Sequence, residues 1–151
     1  MSDRADQIIA ALRRGHDHLA SRVRRLDTAD LTKTSGAAAW DVSQVLGHLG
    51  SGAEIALAVL EGALDGSGPK DGDFNKSVWA RWDSISPGER AEGFLPANEA
   101  LVTRYESLGA RTREDLRIDL GFLRCTSTAR NTCSLSITGP RCSTPCVSTW
   151  A

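Results

Sequence analysis

The sequence predicts an all-α fold, an up-and-down bundle of helices, and three observations support this fold class. Two segments open with a capping box, in which an N-cap side chain and a residue three positions later satisfy each other's backbone amides. These pairs are Asp41 with Gln44, and Ser86 with Glu89. Apolar residues recur at helical spacing after each pair, and a third stripe of this kind runs through residues 3–26.

The first helix is predicted over residues 3–26. Its apolar stripe consists of Ala5, Ile8, Leu12, Leu19, Val23 and Leu26. Arginines occupy many of the other positions, which indicates a solvated face in preference to a phosphate-binding patch. His16 and His18 are two residues apart, so on a helix they point about 200° away from each other and cannot share a metal ion. Both histidines are therefore predicted to be surface residues.

A loop over residues 27–39 leads to the second predicted helix, which ends near Gly62–Gly66. Its apolar stripe consists of Val42, Val45, Leu46, Leu49, Ala53, Ala56, Val59, Leu60 and Ala63. His48 lies beside Val45 and Leu49 on the apolar side of this helix. We therefore expect His48 to face the bundle interior, either as a hydrogen-bonded core residue or as a metal ligand.

Three glycines interrupt the same helix. Gly47, Gly50 and Gly52 each cost about 1 kcal/mol of helix stability relative to alanine. Such a cost indicates that something approaches the helix backbone closely. Tight packing against another helix and room for a ligand beside His48 are the two explanations that the sequence leaves open.

A polar linker over residues 67–73 precedes a third, shorter helix over residues 74–84. Phe74, Val78 and Trp82 recur there at four-residue spacing, and Trp79 flanks them. Core packing is the predicted role of Trp79 and Trp82. Arg81, which lies between them, is a candidate for binding an anionic substrate.

The fourth helix is predicted to begin at Pro87, after the cap at Ser86. Its inner face consists of Ala91, Phe94, Leu95, Leu101, Val102, Tyr105 and Leu108. Pro96 should kink or divide this helix, because proline removes a backbone donor and clashes with the preceding turn. Apolar and charged residues alternate in residues 112–123, which predicts a short strand or an extended connector.

Composition restricts the class of protein. The chain has 151 residues, of which 40% are hydrophobic and 25% are charged, as is typical of one soluble globular domain. A net charge of −1 gives no overall attraction to nucleic acid or to an anionic membrane. No apolar run is long enough to cross a bilayer, and the first residues lack the hydrophobic region of a signal peptide. The expected location is the cytoplasm.

The composition changes abruptly near residue 124, which divides the chain into a helical domain over residues 1–123 and an irregular tail over residues 124–151. Fifteen of the residues from 125 to 151 are Cys, Ser or Thr, and none is acidic. All four cysteines of the chain lie in this tail, at positions 125, 133, 142 and 146. No helical or strand period continues beyond a few residues.

Three explanations of the tail are open. A cysteine metal site is the least favoured, because the cysteine spacings match no standard zinc module and no histidine accompanies them. A disordered tail is the second explanation. We favour the third, a coding frame read out of register, because it gives low-complexity composition without a folding pattern.

The order of motifs resembles the amino-terminal domain of the mycothiol-dependent maleylpyruvate isomerase family. Trp40 and a capping residue precede a helix of the form Val-x-x-Val-Leu-x-His-Leu, which contains His48. The motif Phe74-Asn75-x-x-Val78-Trp79-x-x-Trp82 follows, and then Ser86-Pro87-x-Glu89. The resemblance covers roughly residues 5–123 and implies a DinB-like four-helix bundle.

This resemblance also implies a chemistry. The family binds a divalent metal, usually zinc, through a histidine placed like His48 and a later Glu-x-x-x-His motif. Metal-bound mycothiol adds as a thiolate to the double bond of maleylpyruvate, a small organic acid, and is eliminated after rotation to the trans isomer. Other members use the site for thiol transfer. His48 is the one metal ligand that can be carried over, because residues 110–151 contain no Glu-x-x-x-His.

The resemblance therefore implies a bundle whose last helix is corrupted or absent and whose isomerase or thiol-transferase activity is impaired. The alternative is a non-catalytic helical bundle that acts by self-association, for example as a homodimer. Loss of the last helix would expose a stripe consisting of Leu46, Leu49, Ala53, Ala56 and Leu60.

Overall fold

The computed structural model describes residues 3–37, 39–118 and 135–136. Its elements are α1 (Asp3–Val23), α2 (Thr28–Leu31), α3 (Val42–Asp65), α4 (Gly72–Ser84), α5 (Pro87–Glu106), α6 (Ala110–Asp115), β1 (Arg117–Ile118) and β2 (Leu135–Ser136). The all-α prediction is confirmed. Apart from the two residues of β2, the predicted irregular tail over residues 124–151 lies outside the described residues.

The predicted capping boxes set the starts of α3 and α5, the two longest of the helices that follow α1 in the chain. The side chain of Asp41 accepts from the backbone amide of Gln44 at 2.8 Å, and the Gln44 side chain accepts from the amide of Asp41 at 2.9 Å. Ser86 and Glu89 form the same reciprocal pair at the start of α5. Helix starts are thus decided locally, by short polar side chains that satisfy the free amides of the first turn.

The loop predicted over residues 27–39 is wrong in part, because α2 lies within it. A third capping box, between Asp27 and Asp30, starts this single turn. The fourth predicted helix is confirmed as α5, and Pro96 does not divide it. Residues 112–123 were predicted to be extended, whereas the chain first forms α6 and reaches β1 only at Arg117.

Side-chain contacts fix the directions of the long helices. The Asn98 side chain donates to the carbonyl of Leu49, and Arg104 pairs with Glu61, so α3 and α5 run parallel. In contrast, α1 runs antiparallel to α5. Arg13 in α1 pairs with Glu106 at the end of α5, whereas Val23 at the end of α1 lies in one cluster with Phe94, near the start of α5.

The core has two apolar clusters, one towards each end of the α3–α5 pair. The first joins the end of α1 to the start of α3 and α5, and consists of Val23, Leu31, Leu46 and Phe94. The second joins the later part of α3 to the residues that follow α5, and consists of Leu60, Leu108, Leu116 and Ile118. Within the described ranges, no helix combines the length and the apolar character that crossing a membrane requires.

The predicted stripe of α1 is wrong at two positions. Ile8 and Leu12 are 45% and 39% exposed. The buried side chains of this helix are instead Ala5, Ile9, His16, Ala20 and Val23. The face that packs against the bundle is therefore rotated from the face that the larger apolar residues indicated.

Candidate functional site

His48 is exposed on the surface of α3, so the prediction that it faces the bundle interior is wrong. Leu46 is 4% exposed, and His48 follows it by two residues, which places the two side chains about 200° apart around the helix. The face of α3 that contains Leu46 packs against α5. His48 is thus on the side of α3 that α5 does not cover.

The imidazole of His48 packs against the indole of Trp40. The two ring centroids are 5.2 Å apart, with a tilt of 57° between the ring planes. Trp40 is itself held through its backbone, because its carbonyl accepts from both the amide and the hydroxyl of Ser35. This contact limits the orientations of the imidazole while leaving it open to solvent.

The three glycines of α3 have different neighbours. A Cβ at Gly50 would lie 2.3 Å from Cη2 of Trp82, and a Cβ at Gly47 would lie 3.1 Å from Cδ of Arg90. Tight packing therefore explains these two glycines. A Cβ at Gly52 would meet nothing within 4 Å. Since Gly52 is one turn after His48, the surface beside this imidazole is open.

Trp82 and Trp79 have separate roles. Trp82 is 4% exposed and confirms its predicted core position, whereas Trp79 is 45% exposed, so its predicted core role is wrong. Nε1 of Trp82 donates to Glu54, and Arg81 pairs with the same carboxylate. The guanidinium of Arg81, proposed above as a substrate-binding group, is therefore engaged with Glu54.

The described residues do not surround His48 with metal ligands. Within residues 3–37, 39–118 and 135–136, the one group of three or more potential ligands consists of His16, Asp17 and Glu99. Their ligand atoms all lie within 4.8 Å of one another. This group, which we call the α1–α5 cluster, joins the middle of α1 to α5.

The prediction that His16 is a surface residue is wrong, because His16 is 8% exposed. Its Nε2 atom lies 2.8 Å from Oε2 of Glu99, and its Nδ1 atom is buried without a hydrogen-bond partner. His18 is exposed, as predicted, and accepts a hydrogen bond from Arg22. A sequence signal for His16 did exist, since the histidine continues the spacing of Ile9, Ala20 and Val23 along α1.

Arg13 is the cation of this cluster. Its Nε and Nη2 atoms donate to the two carboxylate oxygens of Glu106, at 2.9 and 2.8 Å. Its Nη1 atom donates to Glu99 at 2.8 Å and lies 3.4 Å from Asp17. Hydrogen bonding by Arg13 lowers the pKa of Glu99 to about 2, and the pKa of Glu106 is lowered for the same reason.

The depressed pKa of Glu99 predicts an acid-sensitive contact between α1 and α5. Glu99 titrates near 4.5 when unpaired and near 2 in the folded chain, so its stabilising effect is complete above about pH 4.5 and is lost as the pH falls towards 2. We expect the urea midpoint of Glu99→Gln to fall less steeply over this interval than that of the unaltered chain. Equal pH slopes for the two proteins would contradict this assignment.

A family model described as Mycothiol maleylpyruvate isomerase N-terminal domain matches residues 12–121. The match spans more than two thirds of the 151 residues and includes His48, His16 and Glu99. It confirms the resemblance that the helix motifs indicated. No curated protein and no solved structure matches the chain.

Proposed function

Because the chain belongs to the mycothiol maleylpyruvate isomerase N-terminal domain family, we propose that it is a metal-binding helical domain that acts on small thiol compounds. The proposed reaction class is that of a thiol-dependent cis–trans isomerase or thiol transferase. Mycothiol is the proposed cosubstrate, a small organic acid the proposed substrate, and the cytoplasm the proposed location. The observation that carries the proposal is the exposed imidazole of His48, which lies within the matched residues.

The surroundings of His48 support a ligand site on this face of α3. Trp40 restricts the rotation of the imidazole, and a Cβ at Gly52, one turn later, would meet nothing within 4 Å. A small thiol or a metal ion can therefore approach the imidazole from solvent without displacing a packed side chain.

The described residues do not fit a complete metal centre at His48. A catalytic zinc site takes three protein ligands and keeps one open position. Among the residues that the structure describes, no second or third histidine, cysteine or carboxylate forms such a set with His48. Impaired catalysis is therefore part of the proposal, with His48 as the one ligand that corresponds to the family's motif.

The test uses the indole of Trp40 as a reporter, since its ring lies beside the imidazole of His48. We expect the Trp40 indole NMR signal to shift when Zn²⁺ is added, and to shift again when mycothiol follows. Both shifts should disappear in His48→Ala and persist in His18→Ala, which removes another exposed histidine. A Trp40 signal that does not shift on either addition, or the same two shifts in His48→Ala, would refute the proposal.

Self-association is the second candidate, and the exposure of large apolar side chains favours it. These side chains are Ile8, Leu12, Trp40, Leu49 and Trp79. Of the stripe predicted from the sequence, Leu49 is among these exposed side chains, whereas Leu46, Ala53 and Leu60 are buried within the single chain. Sedimentation of the metal-free chain as a dimer would favour this candidate, and sedimentation as a monomer would exclude it.

A further inference from the structure

The α1–α5 cluster offers the donor set of a divalent-cation site. His16 supplies an imidazole nitrogen, and Asp17 and Glu99 each supply a carboxylate oxygen, all within 4.8 Å of one another. Mixed nitrogen and oxygen ligands suit zinc or manganese. Two of these residues belong to α1 and the third to α5, so a cation held by all three would join the two helices.

The buried imidazole of His16 already holds one nitrogen at the carboxylate of Glu99. The side chain of His16 is 5% exposed, and its Nε2 atom points at Glu99. Its Nδ1 atom is buried without a partner. If a cation took Nε2, the imidazole proton would lie on Nδ1, and the count of unpaired buried atoms would not change. Cation binding therefore adds no new desolvation cost at this ring.

The charge balance also favours a cation. The carboxylates of Asp17, Glu99 and Glu106 surround the single guanidinium of Arg13, which leaves two negative charges uncompensated when His16 is neutral. The net negative charge of the cluster therefore favours the binding of an additional cation.

Arg13 can release the two carboxylate ligands, Asp17 and Glu99, without losing its own main contact. Only its Nη1 atom contacts Glu99 and Asp17 in a salt bridge, at 2.8 and 3.4 Å. Its Nε and Nη2 atoms remain free to hold both oxygens of Glu106. A joint shift of Arg13 and Glu106, which keeps these two hydrogen bonds at 2.9 and 2.8 Å, would vacate the position between the ligands.

We propose that His16, Asp17 and Glu99 form a divalent-cation site in which the cation replaces Nη1 of Arg13. The site is separate from His48 and does not depend on the proposed thiol chemistry. Because the cation binds both α1 and α5, it stabilises the packed bundle over the unfolded chain by mass action. When no metal ion is bound, Nη1 of Arg13 supplies the positive charge beside Asp17 and Glu99.

The test measures Mn²⁺ binding by electron paramagnetic resonance of the free ion. Mn²⁺ prefers oxygen and nitrogen ligands to thiolates, so the four cysteines of the chain do not compete. We expect one saturable Mn²⁺ site in the full chain. Glu99→Gln should weaken the affinity by at least about tenfold, since even the loss of an outer partner of a ligand has that effect.

Two variants serve as matched controls, and a third tests the displacement of Arg13. Glu106→Gln removes a carboxylate that contacts Arg13 but is not a proposed ligand, so the affinity should not fall by as much as in Glu99→Gln. His48→Ala should leave the affinity unchanged, which separates this site from the one in the proposed function. Arg13→Gln should tighten binding, because it removes the competing cation.

Three outcomes would overturn the cation site. The first is no saturable Mn²⁺ binding by the full chain. The second is equal weakening by Glu99→Gln and Glu106→Gln, which would show only a general attraction to negative charge. The third is loss of binding in His48→Ala with binding retained in Glu99→Gln. Circular dichroism of each variant, compared with the unaltered chain, establishes that the helices are intact.

Discussion

A chain in which a Glu-x-x-x-His helix follows Leu123 is expected to gain zinc-dependent thermal stability. Residues four apart on a helix share one face, so the glutamate and histidine could reach His48 together and complete a three-ligand site. His48 is exposed and the surface at Gly52 is open, so α3 has room for such a helix. If the tail over residues 124–151 is a coding frame read out of register, as the sequence favours, restoring the frame would supply this motif.

The expected effect is large. Structural zinc sites in small peptides contribute on the order of 10 kcal/mol of apparent binding free energy. A fifth of that value, about 2 kcal/mol, would raise the Tm of a domain of this size by about 4–8 °C. Differential scanning calorimetry with and without zinc measures the difference.

Two substitutions in the restored chain identify the ligand. His48→Ala should abolish the zinc-dependent rise in Tm, and His18→Ala should leave it intact. In the chain with its present tail, His48→Ala should have little effect on metal content. A restored chain whose zinc content is the same with and without His48 would show that this histidine is not a ligand, and the proposed function would fail.

Replacing Gly50 by Val is expected to destabilise the bundle by about 3 kcal/mol, the upper end of the usual range for overpacking. Even a Cβ at Gly50 would lie 2.3 Å from the ring of Trp82, and valine adds two further methyl groups. Trp82 has little freedom to move away, because its ring lies so close to Gly93 that a Cβ there would be 3.1 Å from Cη2, and its Nε1 atom donates to Glu54. Urea denaturation measures the loss.

Gly52→Val is the matched control. It introduces the same side chain two residues later on the same helix, where a Cβ would meet nothing within 4 Å. We expect a change of less than about 0.5 kcal/mol, as is usual for exposed positions. Equal destabilisation by the two substitutions would contradict the packing of Trp82 against Gly50, because helix propensity alone favours valine over glycine at both positions.

The sequence by itself determined the helical class, the family and most helix starts. Asp41 with Gln44 and Ser86 with Glu89 are residues three apart, and the hydrogen bonds that they form are complete within a single turn. No distant part of the chain has to be known for such a contact to be predicted. The spacing of motifs around Trp40 and His48 likewise sufficed to identify the family.

Only the tertiary structure decided which histidine is buried and which is exposed. Periodicity gives the relative angle between residues of one helix, but the position of the neighbouring helix decides which face loses its contact with water. Because α5 packs on the His16 side of α1, a histidine among charged residues is buried beside Glu99. Because α5 covers the Leu46 side of α3, His48 remains in solvent despite its apolar neighbours in sequence.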